Sequence, residues 1–380
     1  MKSMHLRGWL NILISIAVIV AVVTVGYRLI YASNPLKQAG ALFSSLFDRS
    51  SMLHSSLRRE AVPAPELAGI QQWFNTAGNT PLRISDLRGK VVIVDFWTYS
   101  CINCIRTMPY ITAWDKKYRD RGLVIIGVHT PEFEFEKVPA NVAGKIKEYG
   151  IEYPVALDSR YDTWNAYGNQ FWPAKYFIDH EGNIVWRHFG EGAYEESEAK
   201  IQELLRNAGL LDDVPPTAAV SPNVDFSLIK TPELYFGYRR LLSPSQRRHF
   251  APDQLRPGEV NRYAAPPTLQ ENEFTLVGDW LMEDEYAELR SAQGAILIRY
   301  FATKANLVLE ATPAARASVL VDGEPLRGAG RGSDVRTDGT VAIGEPRLYN
   351  LTVAGDDLGW HTLEVRFDRP GIRAFSFTFG

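Results

Sequence analysis

Apolar positions along this chain follow three successive patterns. From Trp9 to Tyr27 the run WLNILISIAVIVAVVTVGY carries no charge. At about 1.5 Å per helical residue it extends roughly 28 Å, near the hydrocarbon thickness of a bilayer. One membrane-spanning helix is expected within residues 1–31. The run exceeds a secretory signal core, and Arg28, Leu29, Ile30 and Tyr31 follow it in place of a small-residue cleavage site, which favours an uncleaved anchor. Lys2 and Arg7 precede it while Arg28 and Lys37 follow, so charge alone sets the orientation weakly. Over residues 32–62, Leu42, Phe43, Leu46, Phe47, Leu53 and Leu57 recur at roughly helical spacing among Ser and Arg. A helix lying along the membrane or a loose tether both fit, and a spacer is the favoured reading.

Residues 63–208 alternate strand-like and helix-like stretches. Lys90 to Trp97 (KVVIVDFW) and Gly122 to Val128 (GLVIIGV) are apolar, β-branched runs of strand length. Between them, Met108 to Arg119 reads as the body of a helix with Ile111, Trp114 and Tyr118 on one face. Strand, helix and strand at this spacing predict a right-handed βαβ unit in a mixed α/β sheet. Lys175 to Ile178 and Ile184 to His188 read as an antiparallel hairpin, and Glu195 to Leu205 as a closing amphipathic helix. Asp212 to Pro222 marks a linker over residues 209–224, and a second Pro-rich stretch runs from Pro257 to Pro267. Within residues 225–380, seven short runs divided by Gly, Asp and Pro predict an antiparallel β-sandwich. They are Glu273 to Val277, Ala295 to Phe301, Ala305 to Glu310, Ser318 to Val321, Leu348 to Val353, His361 to Phe367 and Ala374 to Phe379.

Length and composition agree with two folded domains. The chain has 380 residues, 46% apolar and 12% aromatic, enough for sizeable cores. A formal net charge of -3 excludes bulk electrostatic binding to nucleic acid. Cysteine occurs only twice, as Cys101-Ile102-Asn103-Cys104, a spacing suited to a redox pair rather than to a structural disulfide framework.

The pair sits where a strand ends and a helix begins. A helix N-terminus stabilises a thiolate through its unpaired N–H groups and dipole, so Cys101 is expected to be the more exposed nucleophile and Cys104 the resolving thiol. Zinc would need two further close ligands, whereas His129, His180 and His188 are widely separated. No metal or cofactor is expected beyond the Cys101–Cys104 disulfide itself. Asp95 interrupts an apolar strand six residues before Cys101, and could carry the Cys104 proton, or be satisfied by backbone or Lys90. Phe171-Trp172-Pro173-Ala174 predicts a constrained cis turn, with a plain strand-start proline as the alternative. Trp97 and His129 are candidate substrate contacts, and His129 and Glu132 are candidates to tune the site or to cap a loop. In the β region, Gly328-Ala329-Gly330-Arg331-Gly332 reads as a flexible loop rather than a phosphate site, because no helix follows.

The stretches VDFWTYSCINC and WPAKYFID resemble the thioredoxin superfamily, and within it the membrane-tethered TlpA and ResA type. Cys101 to Cys104, Val128 to Phe133, Trp172 to Tyr176 and Gly190 to Tyr194 are similar to the soluble C-terminal portions of DipZ proteins. That likeness continues through Thr231 to Gly237 and Phe375 to Phe379. It implies an extracytoplasmic thiol-disulfide oxidoreductase with a thioredoxin fold, a cis Pro173, and Trp172 and Pro173 as the platform for a partner's disulfide. It also implies a C-terminal jelly roll like a carbohydrate-binding module. DipZ-type proteins carry a multi-helix electron-conducting membrane domain, whereas one helix is expected here. Electrons are therefore expected from a separate membrane donor of the CcdA/DsbD type, with protein disulfides as substrates and a reductant role.

Two rival readings accompany the resemblance. Thr98 lies three residues before Cys101 as in thiol peroxidases of the peroxiredoxin type, yet Val94 stands where that motif needs proline. An envelope- or glycan-binding protein with an accessory redox domain is the other, with Trp280, Tyr286, Tyr300 and Trp360 as candidate sugar platforms. A protein-docking surface or a scaffold would explain the same β region.

Overall fold

The structure, a computed structural model, describes residues 62–213, 225–355 and 357–380. The expected anchor at Trp9 to Tyr27, nearly all of the stretch up to residue 62, and most of the 209–224 linker lie outside the described residues. Among the described residues no helix is long and apolar enough to cross a membrane.

The N-terminal half of the described chain is built on seven strands: β1 (Val62–Pro63), β2 (Gln72–Phe74), β3 (Val91–Trp97), β4 (Leu123–His129), β5 (Val155–Leu157), β6 (Ala174–Ile178) and β7 (Asn183–Phe189). Their order in the sheet is β1-β7-β6-β3-β4-β5-β2. β3 lies parallel to β4 and antiparallel to β6, so it is central and buried at all seven positions. That explains its near-continuous apolar sequence, since a strand covered on both faces has no solvated side to keep polar. Its residues alternate between two layers. Val91, Ile93 and Trp97 pack with Ile111, Trp114 and Tyr118 of helix α1 (Ile102–Tyr118). Val92, Val94 and Phe96 face Ile84, Trp164 and Tyr176 on the other side. The parallel β3 and β4 are joined through α1, as the sequence pattern predicts.

Helix α2 (Pro139–Glu148) and the five-residue α3 (Asp162–Ala166) lie between β4 and β6, and α4 (Tyr194–Asn207) closes the unit. β5 is three residues long, too short for a periodicity to reveal. β4 contains Gly127, where a Cβ would stand 2.9 Å from Trp97 Nε1 and 3.0 Å from Tyr153. A glycine lets β4 pass directly over the indole that precedes the cysteine loop.

The C-terminal half is a large curled sheet of twelve strands in which every pairing is antiparallel. It comprises β8 (Leu234–Tyr235), β9 (Val260–Tyr263), β10 (Phe274–Met282), β11 (Ala287–Leu289), β12 (Gly294–Tyr300), β13 (Lys304–Ala311) and β14 (Ala315–Val321). β15 (Glu324–Pro325), β16 (Thr340–Ile343), β17 (Arg347–Val353), β18 (His361–Phe367) and β19 (Ile372–Phe379) complete it. The seven runs expected from sequence correspond to β10, β12, β13, β14, β17, β18 and β19. The other five strands are two to four residues each. Through Val277, β10 pairs with β12; from Gly278, at φ +102, it pairs with β9 and β11. Glycine takes this backbone angle without the Cβ clash other residues suffer, and it turns the strand around the core. Short α5 (Tyr238–Leu241) and α6 (Pro244–Arg247) follow β8.

An apolar seam joins the two halves. Phe133 from the loop after β4 packs with Tyr235, Val308 and Phe375 of the β-unit, flanked by Phe135, Tyr286 and Leu348. That loop also leads back to the cysteines, so the β-unit reaches the neighbourhood of the redox pair.

Candidate active site

β3 ends at Trp97, and four residues later Cys101 occupies the N-cap of α1, its Sγ accepting the Cys104 N–H at 3.3 Å. The strand thus delivers the first thiol to the helix N-terminus, and the helical turn carries Cys104 inward. Cys101 is 6% exposed and Cys104 1%. The expected order of exposure holds, but Cys101 is a buried side chain. This corrects the expectation of a favoured thiolate. Burial first, then the adjacent Cys104, Glu233 and Glu132, push the Cys101 thiol well above its usual range. A helix terminus contributes about 0.3–1 kcal/mol to an anion, less than the several kcal/mol that burying a charge can cost, so burial wins.

Asp95 is 1% exposed, and its register partner across β3 and β6 is Lys175, itself fully buried. Lys175 Nζ donates to the Gly190 carbonyl at 3.2 Å. Lys90, the counter-ion considered from sequence, is exposed. Asp95 Oδ1 has no hydrogen-bond partner among the described residues. Burial raises the Asp95 carboxyl to about 7, with the Lys175 charge acting in the opposite sense. Burial also raises the Cys104 thiol, with Asp95 adding to it. Burial thus favours the protonated, neutral form of both the Cys104 thiol and the Asp95 carboxyl.

Comparison with known proteins matches residues 231–380 to a family described as "Thioredoxin like C-terminal domain" and residues 60–187 to the "AhpC/TSA family". "Protein DipZ" of Mycobacterium tuberculosis (strain CDC 1551 / Oshkosh) is 39% identical over 318 residues, 83% of this chain. The chain spans 43% of the length of that relative. "Thiol-disulfide oxidoreductase YkuV" of Bacillus subtilis (strain 168) is 32% identical over 130 residues, covering 34% of this chain and 84% of YkuV. The chain belongs to the thioredoxin-like thiol-disulfide oxidoreductases. A solved thioredoxin family protein from Chlorobium tepidum TLS, a "thiol:disulfide interchange protein", is 25% identical, with a TM-score of 0.33 over 38% of this chain and 97% of its own.

In this oxidoreductase the remaining expected positions divide into surface and core. Trp172 is half-buried, its Nε1 donating to the Thr130 carbonyl at 2.9 Å and its ring 4.2 Å from Trp164. The Trp172–Pro173 peptide is cis. Trp97 and His129, expected to touch substrate, are both fully buried, their rings 4.9 Å apart at 89°. Neither offers surface to a partner, because strands β3 and β4 are covered on both sides. Burial lowers His129 to about 3, so it is neutral and acts as packing beneath Tyr99. The Thr98 hydroxyl lies 3.5 Å from His129 Nε2 and helps hold Glu136 ionised.

The proposed sugar platform does not assemble. Trp280 is fully buried and its Nε1 donates to the Val277 carbonyl at 2.8 Å. Tyr300 is 4% exposed and hydrogen-bonded to Thr352 at 3.0 Å. Tyr286 packs on Phe375 at the seam, and Trp360 packs on Phe301 elsewhere.

Two members of the site escaped the sequence reading. Glu136 is fully buried and accepts from the Ser100 N–H (3.1 Å), the Ser100 hydroxyl (2.7 Å), and the N–H groups of Glu132 (2.6 Å) and Phe133 (3.0 Å). It ties the residue before Cys101 to the loop after β4. Burial raises it to about 7, while the four donors favour the ionised form. Its only sequence signal is a Glu three residues after Phe133, a capping-box spacing. Arg106, two residues after Cys104, bonds both Glu191 carboxylate oxygens (2.7 and 2.5 Å) and the Phe379 carbonyl (3.0 Å). This links the redox helix to the last strand of the β-unit.

Proposed function

We propose that this protein is a membrane-anchored, extracytoplasmic reductant of protein disulfides, recharged by a separate membrane dithiol donor of the CcdA/DsbD type. Cys101 attacks a partner's disulfide laid against Trp172 and Pro173, forming a mixed disulfide and releasing one partner thiolate. Asp95 takes the proton from Cys104, whose sulfur attacks Cys101 Sγ. The mixed disulfide breaks, the second partner thiol leaves, and two electrons have passed from the Cys101–Cys104 pair to the partner. The oxidised pair then requires a two-electron donor.

The observation that carries the reading is the burial of Cys101 at its helix N-cap among carboxylates, above a buried Asp95. Strong oxidants are those whose reduced form is stabilised as a thiolate. Here burial, Glu233 and Glu132 withhold that stabilisation from Cys101, which supports the reducing direction. The β-unit serves as a wall of the redox site rather than a glycan platform, in keeping with the burial of Trp280 and Tyr300.

Cys104→Ser tests the scheme in its native envelope. A mixed disulfide should accumulate on Cys101, and the purified variant should lose roughly a thousandfold or more of its turnover with model disulfides. Absence of any adduct, together with wild-type thiols inert to both oxidant and reductant, would sink the proposal.

A further inference from the structure

The turn that carries the thiols is clamped from outside by one guanidinium. Arg106 stands three residues after Asn103, one of the two residues between the cysteines, so both lie on one face of α1. Arg106 Nη2 donates to Asn103 Oδ1 at 2.6 Å, Nε and Nη2 grip the Glu191 carboxylate as a fork, and Nη1 reaches the Phe379 carbonyl. Both side chains of the ion pair are largely buried, 14% and 11% exposed. A bidentate pair taken out of water fixes geometry as well as charge, since neither partner can swing away without stranding the other.

Glu191 carries this restraint to the far side of the site. It follows Gly190, whose N–H donates to the Pro173 carbonyl at 2.8 Å and whose own carbonyl accepts from Lys175 Nζ at 3.2 Å. Lys175 is the register partner of Asp95. Arg106 thus connects the segment between the cysteines to the cis proline turn and to the lysine paired with Asp95, with β19 of the β-unit as a third support. A second tie runs beside it. The Thr107 hydroxyl lies 3.3 Å from the Tyr194 hydroxyl, and the Tyr194 ring stacks on Tyr110 at 3.5 Å. The loop therefore stays on α1 when the ion pair is removed, and what is lost is its setting.

We propose that Arg106 is a positioning residue for disulfide exchange, holding the Cys101–Cys104 turn in register with the Pro173 turn through Glu191. The attacking sulfur comes from one turn and the platform for the partner's disulfide from the other. The reacting atoms meet only when the two turns keep their separation, so a small slip between them is costly. The β-unit enters the reaction here, because β19 supplies one of the acceptors that hold the guanidinium.

The inference rests on the partner's disulfide lying against Trp172 and Pro173. Its test compares two rates on the reduced full chain. Exchange with insulin disulfides needs the platform; alkylation of Cys101 by iodoacetamide from pH 5.5 to 9 does not. Arg106→Gln and Glu191→Gln should each slow exchange about ten- to a hundredfold. The double variant, which removes both charges, should match the slower single within about threefold, because the two side chains act as one unit. Its alkylation profile, with the modified cysteine mapped by mass spectrometry, should stay within about threefold of wild type, as the net charge is unchanged. Exchange at the wild-type rate in Arg106→Gln, losses that multiply in the double variant, or alkylation that falls in step with exchange would each overturn the inference. A wild-type chain that only oxidises insulin thiols would instead overturn the reductant reading and leave the comparison of variants intact.

Discussion

At the centre of the seven-stranded sheet stand Asp95, His129 and Lys175, with Glu136 at its rim. The equivalent space in the twelve-stranded sheet is filled by Trp280, Phe236, Phe274, Tyr349 and Phe377. The polar groups buried there are chiefly hydroxyls and amides such as Thr275, Asn306, Thr352 and Thr378. Its one buried acid among the described residues, Glu288, is paired with Arg373 at 3.0 Å. A buried carboxyl without a full set of partners costs several kcal/mol. Such a residue inside a sheet is a candidate for chemistry. The first sheet therefore holds the reaction, and the second is a rigid body that contributes at its edge, where the Phe379 carbonyl accepts from Arg106.

The largest effect that can break this contrast lies in the β-unit. Trp280→Ala removes a fully buried indole and should cost about 3–5 kcal/mol in urea unfolding. The alkylation profile of Cys101 in the folded protein should not change. A loss under about 1 kcal/mol would mean that this core does not organise the unit.

Asp95→Asn should act with the opposite sign. The folded-state pKa of about 7 exceeds the unfolded value, so the native state binds the proton more tightly. Ionisation therefore destabilises the fold as pH rises from about 4 to 7, and the penalty is complete above that. The variant should be about 1–2 kcal/mol more stable than wild type at pH 8, the gain limited by the loss of a counter-charge for Lys175. Near pH 4 the two should coincide. Turnover at pH 7 should fall about tenfold. Parallel stability curves at all pH values would show that Asp95 is not the costly group.

Tyr300→Phe is the smallest change. It removes one hydroxyl contact to Thr352 and should cost about 1 kcal/mol of stability with no effect on disulfide turnover. A change in turnover would tie the interior of the β-unit to the chemistry.

Local sequence was sufficient for β3, β4, α1 and the long strands β10, β12, β13, β18 and β19, because each buries a regular face whose period is written in neighbouring residues. The place of Cys101 and Cys104 at a strand-to-helix junction follows from the same local signals. Short elements such as β5, β8 and β11 carry too few residues for a period. The difference between Trp97 and Trp172 is also not local: both stand beside the cysteines or the proline in sequence, yet only the layers above β3 decide that Trp97 is core.

By itself, the sequence determined the chemistry: a lone Cys-x-x-Cys pair led by an apolar strand containing Asp95. Tertiary structure alone decided how that chemistry is tuned. Lys175 meets Asp95 through the pairing of β6 with β3, and Glu132 meets Tyr235 across a separation of 103 residues. Ionisation depends on desolvation and on charges a few ångströms away in space, and neither is encoded in any short stretch of chain.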